Sequence, residues 1–422
     1  MRLTKNTVSK VLSAKYNITY NKINSIQQNV QHTTEFSLQV VIYCDCLLTR
    51  KLVLQKTDFN NMSTSISTNE QADPNHNTLT EKDDALNTVT KMCSDLVLGG
   101  EEKDSSLIKF ALDDLGETDE KRETALSQLR SLISQNSNLK GCCNKDASMR
   151  LDDPKCKHGT RFLLRFLRLH RFDEQKALAQ MESYLKMKWE FPQWHTDLEP
   201  KEGKRFLELL ENGFIFVSPG RDKMGRKVLV VMNRYIDPTR HSAADEMKAV
   251  MSTLETLLIM DEETQIRGLS YVFYFKNLKF SQVFIWSPTD AGKMLLGCDN
   301  NLPIRHRNVI VSDTPFGMGV VIEFGKSFLR EELRSAIQVV PDATKIKKAS
   351  DGVFDCQDIL PSEIIGDEGK YTAREMAALW KDKVIEHGQH LKILDDLVVE
   401  KEEKVPNTET EQTSNKSWFS WR

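Results

Sequence analysis

The pattern of apolar and polar positions between Arg267 and Leu333 predicts one crossover unit of a parallel sheet. An apolar run from Leu269 to Phe275, rich in aromatic and β-branched residues, predicts a buried strand, and the run from Asn308 to Ser312 predicts a second. Between the two runs, apolar residues at spacings of three and four predict a helix: Ala291, Met294, Leu295 and Cys298. Strand, helix and strand over this length form a βαβ unit.

Helix starts are marked by capping residues. Ser287 with Pro288 provides an N-cap and a first-turn proline, and Ser242 with Asp245 has the spacing of a capping box. Short strands are predicted at 214–217 and 227–232, flanking a turn. We expect helices upstream of these strands and again at the end of the chain.

One helix carries a stripe of arginines. The segment Thr160–Leu169 has an apolar face and a face formed by Arg161, Arg165 and Arg168. We expect the arginine face to be solvated, because charged faces of amphipathic helices usually contact water. A binding role is the alternative.

Composition limits the function classes. The 422 residues are enough for two domains, and the mixed charge, with a formal net of −3, gives no field that favours nucleic acid. Eight cysteines without a secretory signal indicate reduced thiols in the cytoplasm. No apolar run reaches the roughly 20 residues of a membrane span. We therefore expect a cytoplasmic protein that contacts membranes peripherally.

The first 105 residues are polar and rich in Asn, Ser and Thr, which predicts a disordered extension. Basic residues without acids before Glu35 also suit a mitochondrial presequence, although Arg2 is the single arginine there. The disordered extension is the preferred interpretation.

The crossover unit combines positive charge with apolar surroundings. Arg305, His306 and Arg307 precede the second strand, and a mostly apolar stretch from Phe316 to Leu333 follows it. This combination suits a ligand with an apolar tail and an anionic head. A solvated loop is the alternative for the arginines.

A set of short motifs occurs in one order along residues 107–386. Its main members are Phe162–Arg168, Arg171–Asp173, Asp222, Gly225, Lys227–Leu229, Asp237–Pro238, Glu263–Gln265, Gly268, Phe280–Ser281, Pro288, Pro303, Arg305, Arg307, Pro315, Lys326, Phe328–Leu329, Ile359–Pro361 and Gly366. In this order the motifs resemble the CRAL-TRIO lipid-binding family. The branch they resemble most contains alpha-tocopherol transfer protein, cellular retinaldehyde-binding protein and the clavesins.

The resemblance implies an α/β fold: a helical N-terminal module, then a lipid-binding domain with a mostly parallel sheet and a helical gate. It places the extension at 1–105, the helical module at 106–195, the lipid-binding domain at 196–372, and a C-terminal helix with a polar tail at 373–422. It also implies that a basic cleft beside the gate binds phosphoinositide headgroups. The residues that match this cleft are Arg305, Arg307, Lys326 and Arg334.

The chain departs from the family pattern in two places. Glu332 and Ala336 stand where basic residues are usual, so we expect weaker or different headgroup recognition. The segment that matches the gate contains Gly317, Gly319 and Gly325, each of which costs a helix about 1 kcal/mol relative to alanine. We therefore expect a looser or partly unwound gate.

A lipid carrier needs an apolar cavity, because each buried methylene contributes about 0.8 kcal/mol. The candidate lining residues are Phe273, Phe275, Phe284, Trp286, Met294, Val309, Val311, Phe316 and Val320. Each could equally be an ordinary core residue. Strand side chains alternate between faces, so only one of the sets Val272/Tyr274 and Phe273/Phe275 can face a cavity.

The function that this pattern favours is non-enzymatic lipid binding and transfer with phosphoinositide recognition, by a monomer that needs no cofactor. The alternative is a phosphoinositide-sensing signalling or trafficking adaptor that does not transfer lipid. An enzyme is the weakest hypothesis, since no nucleophile, base and orienting group occur together. One group of possible zinc ligands has a spacing that fits no standard zinc site: Cys142, Cys143, Cys156 and His158.

Overall fold

The computed structural model of the protein describes residues 105–143, 148–354 and 357–397. The predicted N-terminal extension up to residue 104 and the polar tail from residue 398 lie outside the described residues. Phe316–Ser327 belongs to a unit separate from the rest of the described chain.

A five-stranded sheet lies at the centre of the larger unit, in the order β1-β2-β3-β4-β5. The strands are β1 (Ile215–Val217), β2 (Lys227–Val231), β3 (Leu269–Tyr274), β4 (His306–Ser312) and β5 (Ile337–Val340). β1 pairs with β2 antiparallel, whereas β2, β3, β4 and β5 are parallel neighbours. The predicted mostly parallel sheet is confirmed.

Helices account for most of the remaining described chain. The helices are α1 (Ser105–Phe110), α2 (Asp119–Gln135), α3 (Lys157–Leu169), α4 (Glu174–Glu190), α5 (Pro192–His195), α6 (Arg205–Asn212), α7 (Ala243–Met260), α8 (Glu262–Arg267), α9 (Phe280–Val283), α10 (Pro288–Asn300), α11 (Met318–Lys326), α12 (Glu331–Ala336), α13 (Ile346–Ala349), α14 (Ser362–Ile365), α15 (Ala373–Glu386) and α16 (Gly388–Ile393). A π-helical turn, Ala111–Leu115, continues α1.

The predicted crossover unit is present as β3, α10 and β4. The Ser287 side chain accepts a hydrogen bond from Asp290 N at 3.1 Å and so caps α10. The capping box of Ser242 and Asp245 at the start of α7 is also confirmed. These local signals hold because a cap needs only residues within one turn of each other.

Strand β5 was not predicted from the sequence. Burial does not alternate along this strand: Gln338 and Val339 are both exposed, and Val340 is buried. The strand pairs with β4 through Val309–Ile337 and Val311–Val339. This pairing partner, rather than the local pattern, gives the segment its extended conformation.

The expected solvated arginine face of α3 is wrong for two of its three residues. Arg165 and Arg168 are only 4% and 1% exposed. Arg165 Nη1 donates to Glu255 Oε2 at 2.6 Å, and its guanidinium stacks on the Phe162 ring at 4.0 Å. The reason is that α3 is enclosed by other helices, so its polar face meets acidic residues instead of water.

Arg168 makes the larger of these buried networks. Its Nε and Nη2 bind both oxygens of Glu117 at 3.0 and 2.8 Å, and Nη1 binds Gln265 Oε1 at 2.8 Å. Glu262 accepts from Nη2 at 2.5 Å. The network joins the turn after α1, helix α3 and helix α8, and it therefore fixes the helical segments against the sheet domain.

The two faces of the central sheet are packed differently. Val272 and Tyr274 are 0% and 1% exposed, and the Tyr274 hydroxyl donates to the Glu363 carbonyl in α14. Phe273 and Phe275, on the opposite face, remain partly exposed. The Tyr271–Phe273 and Phe273–Phe275 ring centroids are each 6.4 Å apart, so these rings form one aromatic row.

Helix α11 forms the core of the separate segment Phe316–Ser327. Gly317 precedes it with φ of +87°, a conformation that favours glycine. Gly319 and Gly325 lie within or near the end of a continuous helix, so the expected unwinding of this segment is not observed. Among the described residues, no helix is both long and apolar enough to cross a membrane.

Candidate functional site

Three arginines surround the carboxylate of Asp114, which lies in the π-helical turn after α1. Arg305 Nη2 and Arg307 Nη2 both donate to Asp114 Oδ2, the second at 3.3 Å. Arg171 Nη2 lies 3.5 Å from Asp114 Oδ1. We call Arg305 and Arg307 the edge arginines; the structure brings these two predicted residues together on one internal anion.

The edge arginines lie at the amino-terminal edge of the sheet because they surround the start of β4. Arg305 Nη1 donates to the Ile266 carbonyl, and Arg307 Nε donates to the Arg267 carbonyl at 3.0 Å. Both carbonyls belong to α8, just before β3. These backbone contacts fix the two guanidinium groups without using all of their donors.

The charges at this edge are strongly coupled. Burial alone would raise the pKa of Asp114, but the hydrogen bond from Arg305 and the charges of Arg305, Arg307 and Arg171 lower it below its ordinary value. Burial lowers the pKa of Arg307, and the neighbouring charges of Arg305 and Arg226 lower it further. The edge therefore holds more positive charge than one carboxylate offsets.

The other two predicted headgroup residues make local contacts. Arg334 Nη2 donates to the Leu329 carbonyl at 2.7 Å, and Nη1 lies 3.4 Å from Glu331 Oε2. Arg334 precedes β5, whose first residue, Ile337, pairs with Val309 in the middle of β4. Lys326 belongs to the separate segment, where its Nζ lies 2.9 Å from Glu323 Oε1.

His306 lies between the edge arginines in the sequence, and its side chain contacts Tyr271 of β3. Its Nδ1 lies 2.7 Å from the Tyr271 hydroxyl. Burial lowers the pKa of His306 to about 4. The imidazole is therefore neutral at physiological pH and adds no charge to the edge.

Four of the predicted lining residues share one face of the sheet. Register pairs Phe273 with Val311 and Tyr271 with Val309, and paired positions of parallel strands project to the same side. Val309 and Val311 are each 6% exposed, and Phe275 continues the same row. We call this side the open face; it includes Phe273, whereas Val272 lies on the opposite, buried face.

The remaining predicted lining residues are more scattered. Trp286 is largely buried, donates from Nε1 to Glu246 Oε2 at 2.8 Å, and contacts Trp194. Phe284 is 40% exposed, and Met294 of α10 is partly exposed. Phe316 and Val320 lie in the separate segment and are exposed there.

The sequence patterns did not identify several residues of this edge. Asp114, Arg171, Arg226 and Arg267 were not among the predicted site residues. A usable signal existed for two of them, because Arg226 and Arg267 come directly before or one glycine before predicted strands. Parallel strands begin at the same edge, so residues at their starts lie close together.

Within the described residues, no group of three or more His, Cys, Asp or Glu side chains is arranged to hold a metal ion. Cys156 instead caps α3, with its Sγ accepting from Gly159 N at 3.4 Å. His158 Nδ1 lies 3.1 Å from His390 Nδ1.

Comparison with known proteins shows which family this chain resembles. Residues 211–352 match the family model of the CRAL/TRIO domain. A Mus musculus protein named "Alpha-tocopherol transfer protein-like" is 31% identical over 173 residues, which cover 41% of this chain and 49% of that protein. The Homo sapiens protein of that name is 28% identical over 228 residues, covering 54% and 61%.

Xenopus laevis Clavesin-1 is 27% identical over 179 residues, which cover 42% of this chain and 52% of that protein. The chain thus spans about half to three fifths of the length of these curated relatives. A crystal structure of Sfh5 aligns with a TM-score of 0.42 at 14% identity, covering 62% of this chain and 92% of that one. The resemblance seen in the sequence is confirmed.

Proposed function

The chain carries a CRAL/TRIO domain, and from this premise we propose that it binds a hydrophobic lipid and transfers it between membranes. The named relatives include proteins called alpha-tocopherol transfer protein-like, which supports transfer. The observation that carries the proposal is the open face, where an aromatic row remains partly exposed beside a fully packed opposite face. The protein acts as a non-catalytic monomer at the cytoplasmic side of membranes.

The open face suits an apolar ligand. Phe273, Phe275 and Val311 offer aromatic and aliphatic surface, and the nearby polar groups Tyr271 and His306 bind each other. A ligand there needs no polar partner, since about 25 cal/mol is gained for each Å² of apolar surface removed from water. This composition supports a lipid chain or ring system rather than a sugar or nucleotide.

The edge arginines support the second half of the proposal, phosphoinositide recognition. A guanidinium offers paired donors that match phosphate oxygens. Asp114 already occupies these donors in the structure, so a headgroup phosphate would replace its carboxylate. We include Lys326 and Arg334 as further headgroup contacts, on the resemblance and on the position of Arg334 before β5.

A transfer assay tests the proposal. The full chain is mixed with donor vesicles that contain a fluorescent hydrophobic lipid and with acceptor vesicles of phosphatidylcholine, with or without phosphatidylinositol bisphosphate. We expect transfer that is faster when the acceptor contains the phosphoinositide. Phe273→Glu, which places a charge on the open face, is expected to abolish transfer while phosphoinositide binding persists.

Two outcomes would contradict parts of the proposal. Phosphoinositide-dependent vesicle binding without lipid transfer would favour the adaptor function. Transfer that is indifferent to the phosphoinositide would leave a lipid carrier and remove the headgroup assignment.

A further inference from the structure

A cavity of about 400 Å³ opens at the amino-terminal edge of the sheet, beside Asp114. Three arginines line it, Arg226, Arg267 and Arg307, together with the carboxylates of Asp113 and Asp114. Arg226 directly precedes β2, Arg267 ends α8 before β3, and Arg307 is the second residue of β4. Because β2, β3 and β4 are parallel neighbours, three guanidinium groups from distant sequence positions converge on one opening.

Two glycines make room for these arginines. A Cβ on Gly225 would lie 2.8 Å from Arg267 Nε, and one on Gly268 would lie 2.9 Å from Arg307 Nε. Both glycines have positive φ, +76° and +92°, which side chains other than glycine rarely adopt. The backbone is thus shaped so that the arginines pack closely against the strand starts.

Each arginine is fixed mainly through Nε. Arg226 Nε binds Asp222 Oδ2 at 2.8 Å, and Arg267 Nε binds Glu263 Oε1 at 2.6 Å. The Nη groups of Arg226 make no hydrogen bond to any residue in the described part of the chain. Arg226 is thus oriented at Nε and keeps its Nη donors for an anion, whereas Arg267 Nη2 also donates to Ser106 Oγ at 3.4 Å.

The walls of the cavity are apolar on one side. Phe110 of α1 lies under the Arg267 guanidinium, with 4.9 Å between Arg267 Cζ and the ring centroid. Met224, which is 51% exposed, forms part of the rim. The cavity therefore offers cationic groups beside a surface that can cover the ring of a ligand.

We propose that this cavity binds a phosphate of a ring that carries two or more phosphomonoester groups. One phosphate would replace Asp114 at the edge arginines, and another would enter between Arg226 and Arg267. Arg307 lies between the two positions, so this inference rests on the proposed headgroup recognition. The cavity would then account for a preference for multiply phosphorylated headgroups even though Glu332 and Ala336 stand at two usually basic positions.

The test uses the full chain with Arg226→Gln and Arg267→Gln combined. The probes are vesicles of phosphatidylcholine containing phosphatidylinositol bisphosphate, matching vesicles containing phosphatidylinositol monophosphate, and soluble inositol trisphosphate. We expect about a tenfold or greater loss of affinity for the bisphosphate vesicles, as removing two charge-assisted contacts implies. Binding to the monophosphate vesicles should change much less.

The matched control is Arg205→Gln with Arg240→Gln, which removes the same charge from exposed positions away from the cavity. A second pair of variants shows whether weaker binding results from misfolding. Met224→Glu puts a carboxylate at the exposed rim and should also weaken bisphosphate binding, whereas Met224→Gln should not.

The outcomes distinguish failure of the cavity assignment from failure of headgroup recognition as a whole. If Arg305→Gln with Arg307→Gln abolishes vesicle binding while both cavity variants bind normally, the cavity assignment is overturned and the edge site stands. If none of the variants alters binding, headgroup recognition itself fails. Loss of affinity for vesicles but not for soluble inositol trisphosphate would contradict a ring-phosphate pocket, whereas loss for both supports it.

Discussion

Two groups of arginines in this protein have opposite surroundings. Arg165 and Arg168 are buried in the helical segments. Arg165 pairs with Glu255, and Arg168 pairs with both Glu117 and Glu262. The edge arginines, Arg305 and Arg307, share the single carboxylate of Asp114 and lie at a more accessible position. The first group is paired with carboxylates inside the protein, whereas the two arginines of the second group have one carboxylate between them.

The difference shows that residue type alone does not identify an anion site. Removing one partner of a buried ion pair leaves an uncompensated charge inside the protein. Where several cations surround one carboxylate, another anion can take the place of that carboxylate. Each prediction below tests one side of this contrast.

The largest effect is expected at Arg168. Arg168→Leu leaves Glu117 buried without its bidentate partner, so we expect the free energy of unfolding to fall by about 3–5 kcal/mol. Denaturant unfolding of the full chain measures this. The matched comparison is Arg161→Leu in the same helix, which should cost much less because Arg161 is only partly buried. Equal losses would show that Arg168 has no special structural role.

The edge arginines should behave in the opposite way. Arg305→Gln with Arg307→Gln is expected to lower stability by no more than about 1–2 kcal/mol, since Asp114 remains accessible to water and to Arg171. Binding to vesicles with phosphatidylinositol bisphosphate should weaken more than about tenfold. Co-sedimentation and thermal unfolding measure the two quantities on the same sample. A stability loss as large as that of Arg168→Leu would remove the contrast.

Asp114 provides a gain-of-affinity test. Asp114→Asn removes the internal carboxylate from the edge arginines, so we expect about a fewfold tighter binding to phosphoinositide vesicles, mostly at low salt. Asp367→Asn makes the same change of charge at an exposed position that does not line the cavity. If both variants tighten binding equally, the effect is general charge and not release of the arginines.

The smallest effect concerns His306. In the unfolded chain its imidazole takes up a proton near the ordinary pKa of 6.5, whereas burial holds the folded pKa at about 4. Between these values the unfolded state binds more protons, so stability falls as pH falls from 6.5 towards 4. His306→Gln should lose less stability over this range, as measured by thermal unfolding. Identical acid profiles would mean that His306 titrates normally.

The sequence predicted features that depend on nearby residues. The caps at Ser242 and Ser287 and the strands β3 and β4 were found because cap, period and strand lie within a few positions. The sheet followed from the order of these elements and from the family resemblance. The short strand β5 was not predicted, because its extended conformation depends on pairing with β4.

Long-range partners could not be predicted in the same way. Arg165 and Glu255 are 90 positions apart, and Arg305 and Asp114 are 191 apart. An arginine stripe therefore looked solvated although acidic residues from other helices cover it. The convergence of Arg226, Arg267 and Arg307 depended on the parallel register, which the sequence implied only in outline.

The most direct test of the central claim is mass spectrometry of lipids extracted from the full chain, purified from a lipid-rich eukaryotic cell. The account predicts one hydrophobic lipid in stoichiometric amount, and its loss in Phe273→Glu, which alters the open face. The Arg305→Gln/Arg307→Gln protein should still carry this lipid, because the role we propose for the edge is to bind the headgroup of a membrane lipid and not the cargo. A folded native protein that carries no lipid, even after incubation with a total lipid extract of that cell, would contradict the account.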